Sequence, residues 1–200
     1  MALLFAKNNS LSAVTALPAA VSGGGFNLIS TQTASSSSSI EFTSGLDSTY
    51  KEYIFKFFDI HGSTVNKHFS VNFRDGGSSF DATKTTTYLK IRHGEDASLG
   101  SLGYDGGNDL EQSTSDQKLH ENCNIDNDSC LAGTLHLFDP SNTTFTKFFF
   151  SNINSVANPP ISDQVLVSGY CNTTVAIDGV KFSFSSGTID AGTIKMYGVT

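Results

Sequence analysis

No tryptophan occurs in this sequence. The side chain best suited to stacking on sugars and anchoring interfaces is therefore missing, and any such role falls to tyrosine or phenylalanine. Charge is sparse as well: Asp, Glu, Lys and Arg make up 16% of the 200 residues, against a usual share of about 25%. Lys and Arg number 12 against 19 Asp and Glu, a net charge of −7. The bases are scattered, whereas a nucleic-acid backbone needs clustered cations, so no nucleic-acid partner is expected. No stretch approaches the roughly 20 apolar residues that cross a bilayer as a helix. The start, MALLFAKNNS, is not expected to act as a secretory signal, because Lys7 follows the apolar residues instead of preceding them and the apolar run is short. No membrane partner is expected. The three cysteines, Cys123, Cys130 and Cys171, are an odd number, so at least one is unpaired within the chain. Cys123 and Cys130 flank a short polar loop and could bridge; the other reading is three thiols in a reducing compartment.

What is present is alternation. Leu135 and Leu137 flank His136, Phe145 and Phe149 flank Lys147, and Val180, Phe182 and Phe184 alternate with Lys181 and Ser183. Successive strand side chains point to opposite faces, so this pattern buries one face and wets the other. Upstream, Tyr53, Phe55 and Phe57 share one parity, with Ile54, Phe58 and Ile60 on the other, as in a central strand covered twice. Phe148 and Phe150 likewise oppose Phe145 and Phe149. That predicts a second doubly covered strand, the alternative being a face that meets a partner. Asp75-Gly76-Gly77 has the makings of a tight hairpin turn, and Asp47-Ser48-Thr49 those of a side-chain-capped one. The spacing predicts an all-β fold: a jelly-roll-like two-sheet β-sandwich of about eight to ten strands, with a closed barrel as the alternative.

The chain divides into residues 1–25, an extended N-terminal arm with a glycine hinge, and residues 26–200, a single sandwich domain. Within that domain, residues 93–129 form a long polar insertion that loses the alternation. In the arm, Leu3, Leu4, Phe5, Leu11, Val14 and Leu17 are apolar, Pro18 stops any helix, and Gly23, Gly24 and Gly25 form the hinge. An apolar arm needs a surface to cover it, either its own domain or a neighbouring subunit, and these six residues are the candidate interface.

Chemistry is hard to place. HExxH, CxxC, GxSxG and the phosphate-loop motif do not occur. The five histidines, His61, His68, His93, His120 and His136, lack metal-ligand spacing and are expected to be solvated. Asn122, Asn124, Asp126 and Asp128 space oxygens at alternate positions, but the glycine and terminal glutamate of a calcium loop are missing. Glu95, Asp96, Asp105, Asp109 and Glu111 lie in one loop region and are expected to be solvated carboxylates. No catalytic residue, metal or cofactor is expected. Tyr88, Tyr104, Tyr170 and Tyr197 are the aromatic candidates for a binding surface.

Three stretches, LISTQTASSSSSIEFTSGLDSTYKEYIFKF, GTLHLFDPSNTTFTKFFF and GYCNTTVAIDGVKFSFSSGTIDAGTIKMYGV, resemble small β-sandwich structural proteins of tailed-bacteriophage virions. The resemblance covers most of residues 26–200, weakest in 93–129, and is most typical in the closing strand Ile194 to Val199. It implies a non-enzymatic virion component assembled in the host cytoplasm. The expected role is a capsid decoration (cement) protein, a homotrimer bound to the major capsid protein. The alternative is a tail or fibre component binding a host surface glycan through residues 93–129.

Overall fold

A computed structural model describes residues 25–97 and 99–200. It is all-β, with twelve strands and no helix among the described residues: β1 (Phe26–Thr33), β2 (Ile40–Phe42), β3 (Glu52–Gly62), β4 (Lys67–Arg74), β5 (Lys84–Gly94), β6 (Gly100–Tyr104), β7 (Gln117–Cys123), β8 (Leu131–Phe138), β9 (Lys147–Ala157), β10 (Ile161–Cys171), β11 (Gly179–Phe184) and β12 (Ile189–Val199). Every pairing is antiparallel. One sheet runs β1-β12-β3-β8-β9-β10-β5-β6, the other β2-β11-β4-β7, and they meet where Cys123 of β7 pairs with Ala157 of β9.

The winding is that of a jelly roll. Four strands of the large sheet, β1-β12-β3-β8, face β2-β11-β4-β7, and the chain crosses between them at β1→β2→β3→β4 and again at β7→β8 and β11→β12. The remaining four strands enter as two excursions, β5–β6 and β9–β10, which extend the large sheet beyond β8. This accounts for twelve strands where eight to ten were expected. Part of the difference lies in residues 93–129, read from sequence as a long polar insertion without the alternation, with room for short strands. That segment holds β6 and β7, and β7 is integral to the small sheet.

Between the sheets lies an aromatic core. Phe42, Phe55, Phe57, Phe69, Phe182 and Phe184 pack mainly edge to face, with Phe182 within 5.1–6.3 Å of Phe57, Phe55, Phe69 and Phe42. Such geometry sets the positive ring edge against a neighbour's negative face. Ile60 departs from the simple parity. A bulge with Asp59 at φ 52° shifts the register after Phe57, turning Ile60 inward and leaving Phe58 outside. Gly192 of β12 (φ 116°) accommodates the bulge, since a Cβ there would lie 2.7 Å from the Asp59 carbonyl oxygen.

The side-chain-capped turn at Asp47 forms, but the hairpin expected at Asp75-Gly76-Gly77 does not. Gly76 and Gly77 take positive φ, though the turn carries the chain from one sheet to the other, since β4 and β5 do not pair. The Thr49 N–H donates to Asp47 Oδ1 at 2.8 Å. Gly133 of β8 is a packing necessity, because a Cβ there would stand 2.2 Å from the Asn152 carbonyl oxygen. Gly133→Ala is therefore expected to cost about 2 kcal/mol, read as a lower urea midpoint with an unchanged slope.

Candidate functional site

Strand register assembles an aromatic surface on the outer face of the large sheet. One row runs Leu28, Tyr197, Ile54, His136, Phe150, Ser168 and Thr87 across six pairings. Beside it, Phe148 pairs with Tyr170 and Tyr170 with Thr85. His136 stacks on Phe150 with centroids 4.4 Å apart, Phe138 lies 5.8 Å from Phe150, and Phe148 lies 6.1 Å from Tyr170. Phe138, Phe148, Phe150 and Tyr170 wall a shallow groove of about 350 Å³, edged by the threonines of β5 and by Ser168. Phe148 is 57% exposed and Phe150 39%. The expectation that a second layer covers this strand is thus corrected: β9 is central in its sheet, but nothing in the described chain packs over its outer face. Further along the sheet, Phe26 and Leu28 are also exposed, with Lys56 Nζ 4.5 Å above the Phe26 ring.

Beneath the same strands lies a polar layer. Alternation on β5 turns Lys84, Thr86, Tyr88, Lys90 and Arg92 inward, and Asp163 of β10 is fully buried. Arg92 pairs with Asp163 at 3.0 Å and with Glu121 at 3.1 Å. Lys90 pairs with Glu121 and, at 2.7 Å, with Asp105. Asn108 donates to Glu121 at 2.7 Å and accepts from Lys118 at 2.5 Å. Three carboxylates, Asp105, Glu121 and Asp163, thus meet two cations, Lys90 and Arg92, and Lys118 joins through Asn108; such pairing and hydrogen bonding is the condition under which charge is tolerated away from water. Asp105 belongs here, not among the solvated carboxylates. The 105–123 segment covers the inner face of the sheet extension with this network in place of apolar side chains.

Histidine placement differs from the sequence reading as well. His120 is fully buried, with Nε2 3.3 Å from the Asp163 carbonyl oxygen. His61 pairs with Asp190 at 2.7 Å and His136 with Glu52 at 2.6 Å, while His93 stays exposed. All three cysteines are free, and burial pushes the Cys123 and Cys171 thiols up to about 12. In the 122–129 loop, Asn124 Oδ1 accepts the Ile125 N–H at 2.8 Å and Asn124 Nδ2 donates to Asp126. Among the described residues no group of three or more His, Cys, Asp or Glu is arranged to hold a metal. Of the arm and hinge, Leu3, Leu4, Phe5, Leu11, Val14, Leu17, Gly23 and Gly24 lie outside the described residues. Gly25 is exposed, and its N–H donates to Thr200 Oγ1 at 3.3 Å.

The polar layer makes stability depend on pH in two stages. Burial holds His120 and His68 below the ordinary 6.5, so the unfolded chain takes up these protons first and stability falls as pH drops from about 6.5. Burial alone would raise Glu121, but hydrogen bonds from Lys90 and Asn108 outweigh it and hold the carboxyl below 4.5. The hydrogen bond from Lys90 chiefly does the same for Asp105, below 3.8. Their contribution is complete above those ordinary values and is lost as pH falls through the lowered ones. Urea midpoints at pH 7.5, 5.5 and 3.5 should therefore decrease stepwise, and His120→Gln should flatten the first step.

No protein-family model matches this chain, and no curated protein is significantly similar to it.

Proposed function

We propose that this chain is a non-enzymatic structural component of a tailed-phage virion, a capsid decoration protein that docks through the outer aromatic face of its large sheet. The observation that carries the reading is the exposure of Phe148 and Phe150 in one cluster with Phe138, Tyr170 and His136 on the outer face of the large sheet. Contiguous exposed apolar surface marks a contact site, and aromatic side chains dominate the energetics of such sites. The jelly roll recurs in viral capsid and lectin domains, which is analogy at the level of fold. It agrees with the resemblance of three stretches of the sequence to phage structural proteins. In this reading the apolar residues of the 1–22 segment are a second contact, with a neighbouring subunit.

Docking of this kind depends on apolar burial and is weakly sensitive to salt, whereas exposed ion pairs are screened within about 3 Å at 1 M ionic strength. Purified protein bound to undecorated phage heads should remain bound through a wash at about 1 M sodium chloride. Lys51→Ala, which removes an exposed ion pair with Asp139, should leave binding unchanged. Release by salt would mean that attachment is electrostatic and the proposal wrong.

One observation favours a second reading. The groove combines aromatic walls with the hydroxyls of Thr85, Thr87 and Ser168, a surface suited to stacking and hydrogen-bonding a sugar ring. Under that reading the protein binds host glycan from the tail, and soluble oligosaccharide from the host surface would quench Tyr170 fluorescence.

A further inference from the structure

We propose that Lys84 and Asn72 join in an intramolecular isopeptide bond formed by the folded protein itself, with Asp116 relaying the proton. The inference is independent of the docking role.

Lys84 is fully buried at the start of β5, yet no carboxylate among the described residues salt-bridges it. Its Nζ donates instead to Asn72 Oδ1 at 2.6 Å and to the Ala82 carbonyl oxygen at 2.7 Å. Asn72, on β4 of the opposite sheet, is 2% exposed. Its carboxamide is held at both ends. The Phe73 N–H donates to Oδ1 at 2.9 Å, while Nδ2 donates to Asp116 Oδ1 at 2.7 Å and to the Thr114 carbonyl oxygen at 3.0 Å. An amine, an amide carbonyl polarised by a backbone N–H and a carboxylate on the leaving nitrogen are thus fixed together. These are the parts that amide exchange requires. The other buried lysine of this region, Lys147, meets only the backbone oxygens of Thr173 and Val175 and has no such partner.

The attacking amine must be uncharged. Burial pushes Lys84 down to about 8, against the opposing pull of Cys171, Asp116, Asp75 and Asp81, so a useful fraction is neutral near pH 7. In the reaction, the Nζ lone pair forms a bond to Asn72 Cγ, and the carbonyl electron pair moves to Oδ1, where the Phe73 N–H stabilises it. Nζ sheds one proton to Asp116, which delivers it to Nδ2. The carbonyl re-forms, the Cγ–Nδ2 bond breaks, and ammonia leaves. One amide replaces another, Asp116 is regenerated, and neither oxidant nor co-reactant is needed. The Asp116 side chain is 40% exposed, which gives the ammonia a way out. The product would be a covalent tie between the two sheets.

The test is mass spectrometry of the purified full-length chain, intact and after trypsin. The folded protein should be lighter than its sequence by one ammonia. Trypsin should fail to cut after Lys84, so that residues 68–74 emerge joined to residues 75–90. Lys84→Met and Asn72→Ala should restore the sequence mass, and Asp116→Asn should slow the reaction by roughly 100-fold or more. If those variants do not fold, the peptide map of the native protein still decides. An unreduced intact mass after prolonged incubation overturns the proposal. So does an ammonia loss with trypsin still cutting after Lys84, since that outcome is a succinimide at Asn72.

Discussion

Replacing Phe182 with alanine is expected to lower the free energy of unfolding by about 3–5 kcal/mol, the range for emptying a buried aromatic site. The ring has no exposure and touches aromatics of both sheets: Phe42 and Phe69 within its own, Phe55 and Phe57 across the core. With so many rigid neighbours, the space cannot close by moving one side chain. Against a typical total of about 5–15 kcal/mol, the loss should shift the urea midpoint sharply at an unchanged slope. Phe148→Ala, on the exposed outer face, should change it by less than about 0.5 kcal/mol. Equal effects would mean that the core has been misplaced.

The second large effect concerns the polar layer. Asp163→Ala should cost about 3 kcal/mol or more, because it strips a fully buried carboxylate from Arg92 and leaves that guanidinium with Glu121 alone. Adding Arg92→Met should recover part of the loss, since breaking a buried pair is dearer than replacing both partners with apolar groups. Urea unfolding of the two single variants and the double variant would give the coupling directly. Additive losses would show that the two residues do not act as a pair.

The jelly-roll core was legible because its strands obey one rule. β4, β8 and β11 set apolar side chains at alternate, inward positions, β3 does so with Tyr53, Phe55 and Phe57 up to its bulge, and two-sheet closure follows from the number and spacing of such strands. β6 and β7 break the rule for physical reasons. Every residue of β6 is exposed, so that strand carries no hydrophobic period at all. β7 places Gln117 and Glu121 at positions where apolar residues would have marked a strand, and β5, legible as a strand from its β-branched residues, brings Lys90 and Arg92 to meet Glu121, because ion pairing takes over from apolar burial there. Period-two counting from Tyr88 would have put Lys90 and Arg92 on its face, and that was the available signal. Ile60 was misread because a single bulge residue inverts parity, which no pattern of side chains reveals.

The aromatic site was half legible. The opposite parities of Phe148 and Phe149 were plain in sequence, but apolar residues on both faces read equally as a strand covered twice or as one awaiting a partner. Only the arrangement of strands distinguishes the two. The large sheet extends past the small one, and its outer face carries no second layer from the described chain.

That face is the centre of the account, and one measurement bears on it most directly: counting copies of the chain on purified phage particles by quantitative mass spectrometry, for wild type and for Phe148→Asp combined with Phe150→Asp. Both substituted side chains are exposed, so the variant should fold as wild type does. At a docked interface, however, each aspartate would be buried without a partner. Wild type should be present in a copy number that follows capsid symmetry, and the double variant should be nearly absent from the particles. Equal occupancy by the two proteins, or no wild-type chain on the particles at all, would contradict the account.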